Sequence, residues 1–483
     1  MKVWEKIGFA REPFRCELRP PFASQEPPVP YFLAMLLFTV AFYTQLGERL
    51  EFLGEMRFEL LLGLVLLGMS IFVLLIRPPQ FARERAFVFT TVLFILALAL
   101  QVPLALDAET AANTFSQWVI KNILFGLFIA ALIRSPRHLI AFIGAFLFSM
   151  FWVYQEAVRG LISGSLVWYN QGIPRLHGGV PLYGHPNGLS LVACYSLPFI
   201  FQLLPLWRRV FPINLFLLAT LIMAGLCIIN TGSRAGYVGT VALIPYWILD
   251  ARRKSKRLLM VLLVGAMVLP LMPDQYIGRF ESIRGGDGSG EDSRQARIQL
   301  LRDAWAIWQE NPLGLGIDGF ERMRLERFGR GQDTHNLYTQ VATHLGIQGL
   351  LVFLAFTGLM FAVLTRSLKR IQAVRNELTA LFGHGRGGRA RGGAELYARE
   401  VMAVEAIIRA TRMLLFFILV NGAFAHTLYM VVWWFLAGLT LVESGLAFQM
   451  AQRMAANRDA VLAKLDRQQE RAPSLAAPLA VSP

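Results

Sequence analysis

Apolar residues in this chain recur in runs of roughly twenty, the length at which an α-helix crosses the hydrocarbon of a bilayer. A chain of 483 residues that is 55% hydrophobic and only 16% charged has too many such runs for one soluble core to absorb. It reads as an all-α integral membrane protein with about twelve transmembrane helices, since only helices or closed barrels satisfy their backbone in lipid. The spans are expected at residues 31–47, 59–76, 86–106, 118–133, 139–154, 188–207, 211–230, 235–249, 258–272, 345–364, 407–424 and 427–448.

Orientation follows from lysine and arginine, which accumulate in cytoplasmic loops. Lys2, Lys6, Arg11, Arg15 and Arg19 make the N-terminal arm (residues 1–30) basic. Every second short loop repeats the signal: Arg77, Arg83 and Arg85; Arg134 and Arg137; Arg208 and Arg209; then Arg252, Arg253, Lys254, Lys256 and Arg257. The intervening residues 107–117 carry no basic side chain. This alternation puts both termini in the cytoplasm. It places nine spans in residues 31–272, ahead of a large, helical outer insert at 273–344 between spans nine and ten. Span ten (345–364), a cytoplasmic helical loop with a Gly/Arg-rich linker (365–406) and two final spans (407–448) follow. An amphipathic helix and a disordered tail (449–483) end the chain. The net charge of +15 is thereby explained by topology and by attraction to anionic membrane lipids, not by nucleic acid. The N-terminus lacks the short apolar core and small-residue cleavage site of a removable signal, so the first span is expected to be retained. Cys194 and Cys227 fall in spans and Cys16 in the cytoplasmic arm, which implies no disulfide framework.

Chemistry on a polar substrate is expected in the outer insert. It contains no lysine, yet carries Arg279, Arg284, Arg294, Arg297, Arg302, Arg322, Arg324, Arg327 and Arg330. A guanidinium grips phosphate through paired hydrogen bonds, which an ammonium does less well. The plain alternative for any one of them is a solvated surface charge. Arg234 stands above that background because it follows Thr231-Gly232-Ser233 where a helix enters the membrane, so that free amides and the Ser233 hydroxyl would share an anion with it.

Within the insert, residues 285–292 read as a mobile acidic segment whose spacing does not fit a calcium loop, and no metal site is expected. Ser293 fits a helix N-cap, and Ile298, Leu301, Trp305 and Trp308 recur at helical spacing as far as Asn311-Pro312, with Arg297 bordering the stripe. His335 follows Asp333 and Thr334, either of which fits the cap of a new helix, with Asn336 beside it and Tyr338 a turn later. Its imidazole suits a general base for an alcohol nucleophile, against the blander reading of a structural histidine. Arg175, with His185 and Asn187 in Gly184-His185-Pro186-Asn187, is a supporting candidate, and His426 is a weaker one.

These pieces carry a resemblance. The turn Thr231-Gly232-Ser233-Arg234, Arg297 fifteen positions before Pro312, Asn311-Pro312-Leu313-Gly314-Leu315-Gly316, His335-Asn336-x-Tyr338 and Leu345-Gly346-Ile347-x-Gly349, in that order among many spans, resemble the bacterial O-antigen ligase and polymerase superfamily. The motifs cover residues 184–354, and the rest of the chain resembles the superfamily by topology alone. The resemblance implies glycosyl transfer at the periplasmic face of the inner membrane, from an undecaprenyl-diphosphate-linked glycan to the lipid A–core oligosaccharide of lipopolysaccharide. It implies inversion at the anomeric carbon, with neither metal nor cofactor. Arg234 and Arg297 are then the diphosphate ligands and His335 the catalytic base or the residue that orients the acceptor, with Ser233, Asn336, Tyr338, Arg175, His185 and Asn187 in support. One departure is His344, where many relatives carry an acid.

The residues themselves agree with that chemistry. The sequence has no nucleotide-binding Gly-rich loop, no Asp-x-Asp pair and no His/Cys metal cluster, which leaves arginines to neutralise a departing diphosphate. An O-antigen polymerase and a protein O-oligosaccharyltransferase share the donor and the motifs. A lipid or glycan transporter, the third reading, expects acids along a path through the spans and paired broken helices; the spans contain almost no such acids and no inverted pair of broken helices is found.

Overall fold

The computed structural model describes residues 26–77, 83–170, 172–251, 254–268, 274–281, 289–382 and 391–471. Its helices are α1 (Val29–Thr44), the short α2 (Leu46–Arg49) and α3 (Glu51–Glu55), α4 (Phe58–Ile76), α5 (Arg85–Leu100) and α6 (Ala108–Thr114), which runs through one π turn into α7 (Ile120–Leu132). Then come α8 (Pro136–Ser163), α9 (Pro186–Trp207), α10 (Phe211–Asn230), α11 (Arg234–Leu249), α12 (Lys254–Val268), α13 (Asp274–Glu281), α14 (Ser289–Glu310) and α15 (Gly319–Phe328). The last three are long: α16 (Leu337–Phe382), α17 (Arg391–Asn421) and α18 (Val432–Arg471). Among the described residues, seven helices are long and apolar enough to cross a membrane, and α1 and α5 are shorter apolar helices. These nine helices coincide with nine of the expected spans. The spans expected at 235–249, 258–272 and 407–424 fall on α11, α12 and α17, which are not among them, and residues 269–272 lie outside the described residues. The chain is a membrane protein.

Apolar burial orders the bundle. The centre is made by α9, α16, α17 and α18, where Phe94 of α5 stacks on Phe356 and Trp434, and Phe435 meets Phe142, Phe146 and Phe199. The periphery is apolar outward: Leu60, Leu61, Leu64, Leu75 and Ile76 of α4 are all exposed, a surface suited to lipid and costly in water. Inside the bundle, Glu443 of α18 is fully buried and accepts a hydrogen bond from Thr411 Oγ1 at 2.6 Å.

Four expectations need correction. The fold is not wholly helical, because residues 167–176 form an antiparallel hairpin of β1 (Val167–Asn170) and β2 (Ile173–Leu176) that turns at Gly172 with φ 78°. The helix expected to start at Ser293 begins at Ser289, so Ser293 lies inside it and residues 289–292 are helical; residues 285–288 lie outside the described residues. The C-terminal helix is no separate element, since α18 continues unbroken to Arg471; the tail beyond it lies outside the described residues. Arg391–Gly393, the end of the Gly/Arg-rich linker expected at 383–393, open α17, while residues 383–390 and residues 1–25 of the basic arm, Cys16 among them, lie outside the described residues.

One kink positions the insert. Within α16, Gly346 adopts φ 70° and ψ −173°, a conformation essentially confined to glycine, and this breaks the helical ladder. The Asn311-Pro312-Leu313-Gly314-Leu315-Gly316 loop fills the break. Leu315 N donates to Thr343 O at 2.8 Å, Gly316 N to His344 O at 3.1 Å, and Ile347 N to Pro312 O at 2.9 Å. Gln101 of the third expected span adds Nε2 to Leu313 O at 2.9 Å. Two of the sequence motifs are thus packing partners of one another.

Candidate functional site

Arg234 is the first residue of α11, as its sequence context predicts. Ser233 is the N-cap and accepts from Gly236 N at 3.3 Å, which leaves the first amides of the helix facing the same end as Arg234. Ser233 and Thr231 are both buried, and the Thr231 hydroxyl donates to Ile228 O at 2.9 Å. The two side chains thus shape the turn, Ser233 through its cap and Thr231 through its bond to the preceding helix.

Arg175 locks onto that turn from β2. Its Nε donates to Thr231 O at 2.8 Å and its NH2 to Asn187 Oδ1 at 2.7 Å, at the start of α9. Asn187 N in turn donates to His185 Nδ1 at 3.1 Å, and Trp168, paired with Arg175 across the hairpin, meets the His185 ring edge-on with centroids 6.0 Å apart. Tyr276 of α13 donates to Pro174 O at 3.1 Å. Strand, turn and helix start are thereby held together around a cation.

A third guanidinium joins from α14. Burial, and next the charge of Arg234, hold the Arg297 pKa below the ordinary arginine range. As a whole residue Arg297 is exposed, although enough protein surrounds its guanidinium for burial to be the larger influence. Burial also lowers the pKa of Arg175, with a further push from Arg234, and burial lowers that of Arg234 itself. All three keep their charge at neutral pH, so their proximity is a repulsion that a bound anion relieves.

Four other arginines of the insert have acidic partners among the described residues. Arg324 pairs with Asp303 at 3.0 Å, both buried, and Arg330 reaches the same carboxylate at 3.5 Å. Arg322 pairs with Asp107 at 3.2 Å, and Arg327 pairs with Glu310. Of the stripe expected on α14, Ile298, Leu301 and Trp305 are exposed, and it is Ala304 and Ile307, on another face, that pack with Leu315 and Phe320.

His335 lies in a turn before α16 with φ 47°, a left-handed conformation uncommon outside glycine. The expected helix start is corrected accordingly, because the cap is Asn336, whose Oδ1 accepts from Thr339 N at 3.0 Å. Asn336 Nδ2 donates to Ala423 O at 3.2 Å and Leu337 N to Gly422 O at 2.7 Å, tying this turn to the one between α17 and α18. Tyr338 OH donates to Leu419 O at 2.5 Å, so both side chains serve the scaffold.

The second turn delivers His426. Its Nδ1 stands 3.2 Å from His335 Nδ1, and its Nε2 stands 3.7 Å from Asp333 Oδ2. Burial first, then the nearby His426, lowers the His335 pKa; Asp333 opposes this, and Arg297 and His185 add to it. The imidazole is therefore neutral at pH 7 and able to take a proton. His344 is buried behind this group, with Nδ1 at 2.7 Å from Tyr429 OH.

The structure thus draws Arg175, Arg234, Arg297, His185, Asn187 and His335 into one region, and leaves Ser233, Asn336 and Tyr338 as its supports. No group of three or more His, Cys, Asp or Glu side chains arranged to hold a metal occurs among the described residues. Residues 218–354 match the family model described as O-antigen ligase. This segment is an O-antigen ligase family domain. Such a domain implies a membrane enzyme of glycosyltransferase type, and ligases and polymerases share it. No curated protein matches the chain. The ligase-family domain contains Arg234, Arg297 and His335, whereas Arg175, His185 and Asn187 precede it and His426 follows it.

Proposed function

We propose that this protein transfers O-antigen polysaccharide from undecaprenyl diphosphate to the lipid A–core oligosaccharide at the periplasmic face of the bacterial inner membrane. In this reading both termini are cytoplasmic and residues 273–344 form the periplasmic catalytic insert. The supporting observation is the approach of Arg175, Arg234 and Arg297 to one region that also holds the depressed-pKa His335.

The arginines take the diphosphate, with Arg234 and Arg297 as its principal ligands. As the anomeric carbon–oxygen bond breaks, its electron pair passes to the diphosphate oxygen, and the guanidiniums hold the developing charge where a metal does so in other transferases. An acceptor hydroxyl attacks from the opposite face and inverts the centre, giving its proton to His335.

A polymerase uses the same donor and domain, with the growing glycan as acceptor. Lipopolysaccharide from a deletion strain separates the readings. Lipid-linked polymer accumulating beside uncapped core is the expected result. Core bearing a single repeat makes the protein a polymerase, and an unaltered lipopolysaccharide ladder overturns both.

A further inference from the structure

His335 is set against two groups that the base role alone does not use. We propose that Asp333 and His426 form a relay behind His335, fixing its tautomer and sharing the proton it takes from the acceptor hydroxyl. The inference rests on the reading of His335 as the base, and it extends the site beyond the family domain, which ends before His426.

The geometry sets the proton positions. Asp333 is itself anchored, since its Oδ1 accepts from Thr334 N at 2.6 Å, and its Oδ2 faces His426 Nε2 at 3.7 Å. A carboxylate there favours the tautomer of His426 with its hydrogen on Nε2, which leaves Nδ1 as an acceptor. The 3.2 Å contact between the two Nδ1 atoms then needs the hydrogen on His335 Nδ1. His335 Nε2 is left as the free lone pair, the form a base needs.

Transfer balances along this chain. The acceptor oxygen bonds the anomeric carbon as the diphosphate leaves with its electron pair, and the hydroxyl proton goes to His335 Nε2. The Nδ1 hydrogen of His335 is then drawn toward His426 Nδ1, placing positive charge beside the Asp333 carboxylate. The groups facing His335 are His426, Asp333, Arg297 and His185; those facing His426 are Asp333, His335, His185 and His344. Among these, Asp333 is the one that favours the cation.

The tie between the two turns is main chain at Leu337 and Gly422, so relay side chains are replaceable without cutting it. The experiment uses full-length protein in proteoliposomes with lipid-linked donor and lipid A–core acceptor, reading donor affinity, turnover and the pH profile. Asp333→Asn is expected to lower turnover at least about tenfold, with donor affinity kept within about twofold. Its acid limb should also move to lower pH, because the charge that raises the His335 pKa is gone. His426→Ala is expected to lose at least as much turnover, and His426→Asn to regain part of it, since its amide oxygen can still accept from His335 Nδ1. Wild-type turnover and profile in Asp333→Asn and His426→Ala, beside an inactive His335→Ala, overturns the relay and spares the base. Equal loss of donor affinity and turnover in Asp333→Asn and His426→Asn also overturns it, by making both residues structural. An active His335→Ala overturns the base reading itself.

Discussion

Arg234 and Arg297 bring like charges together: apart from burial, it is the Arg234 charge that weighs on the Arg297 guanidinium, although Arg234 opens α11 and Arg297 lies inside α14, on the far side of α12 and α13. Like charges in a protein are disfavoured unless a ligand of opposite sign completes the arrangement.

The arginine pair gives the first prediction. Arg234→Lys and Arg297→Lys should each lower turnover at least about tenfold, roughly 1.4 kcal/mol of transition-state stabilisation, because an ammonium keeps the charge but not the paired hydrogen bonds. Transfer assays on correctly inserted variants check this, and wild-type rates would remove the diphosphate clamp.

pH dependence gives a second. The His335 pKa is lowered from the ordinary imidazole value of about 6.5, chiefly by burial. A base works deprotonated, so activity is fully present above the folded pKa and falls as pH drops through it. The acid limb of kcat/KM should therefore lie below pH 6.5, and a limb above that value assigns it to another group.

Charge neutralisation by arginine predicts metal independence. Purified protein should keep its transfer rate in excess chelator, since guanidiniums occupy the role of the cation. Loss of rate that magnesium or manganese restores contradicts this.

At the kink, Gly346→Ala should reduce stability by about 1–3 kcal/mol or more, because φ 70° with an extended ψ strains any L side chain and the new methyl meets the Leu313 main chain. Thermal unfolding in detergent measures this. Unchanged stability would mean that the 311–316 loop shifts freely.

Asp303→Asn leaves the buried Arg324 without its charge partner, at a cost of about 3–5 kcal/mol. Limited proteolysis should then open the α14–α15 region while the spans persist. Equal resistance in variant and wild type shows the pair to be dispensable.

The spans were legible because an apolar run of membrane length has few other fates, and Arg234 because Ser233 carries a local capping signature. The hairpin at 167–176 was not, since two four-residue strands give no sustained alternation. Nor was the left-handed turn at His335, whose shape comes from its ties to Gly422 and Ala423 and not from its neighbours in sequence. His426 looked weak for the same reason: 91 residues separate it from His335, and no spacing rule reaches that far. Asn336 and Tyr338 attracted attention for chemistry that they spend on Thr339, Ala423 and Leu419.

The bond from Leu337 N to Gly422 O is made by atoms that every sequence possesses. Alignment of the two histidines is thus inherited from the peptide chain, while the side chains around them stay open to substitution. An enzyme built this way can drift toward new sugars at its rim without losing register at its centre.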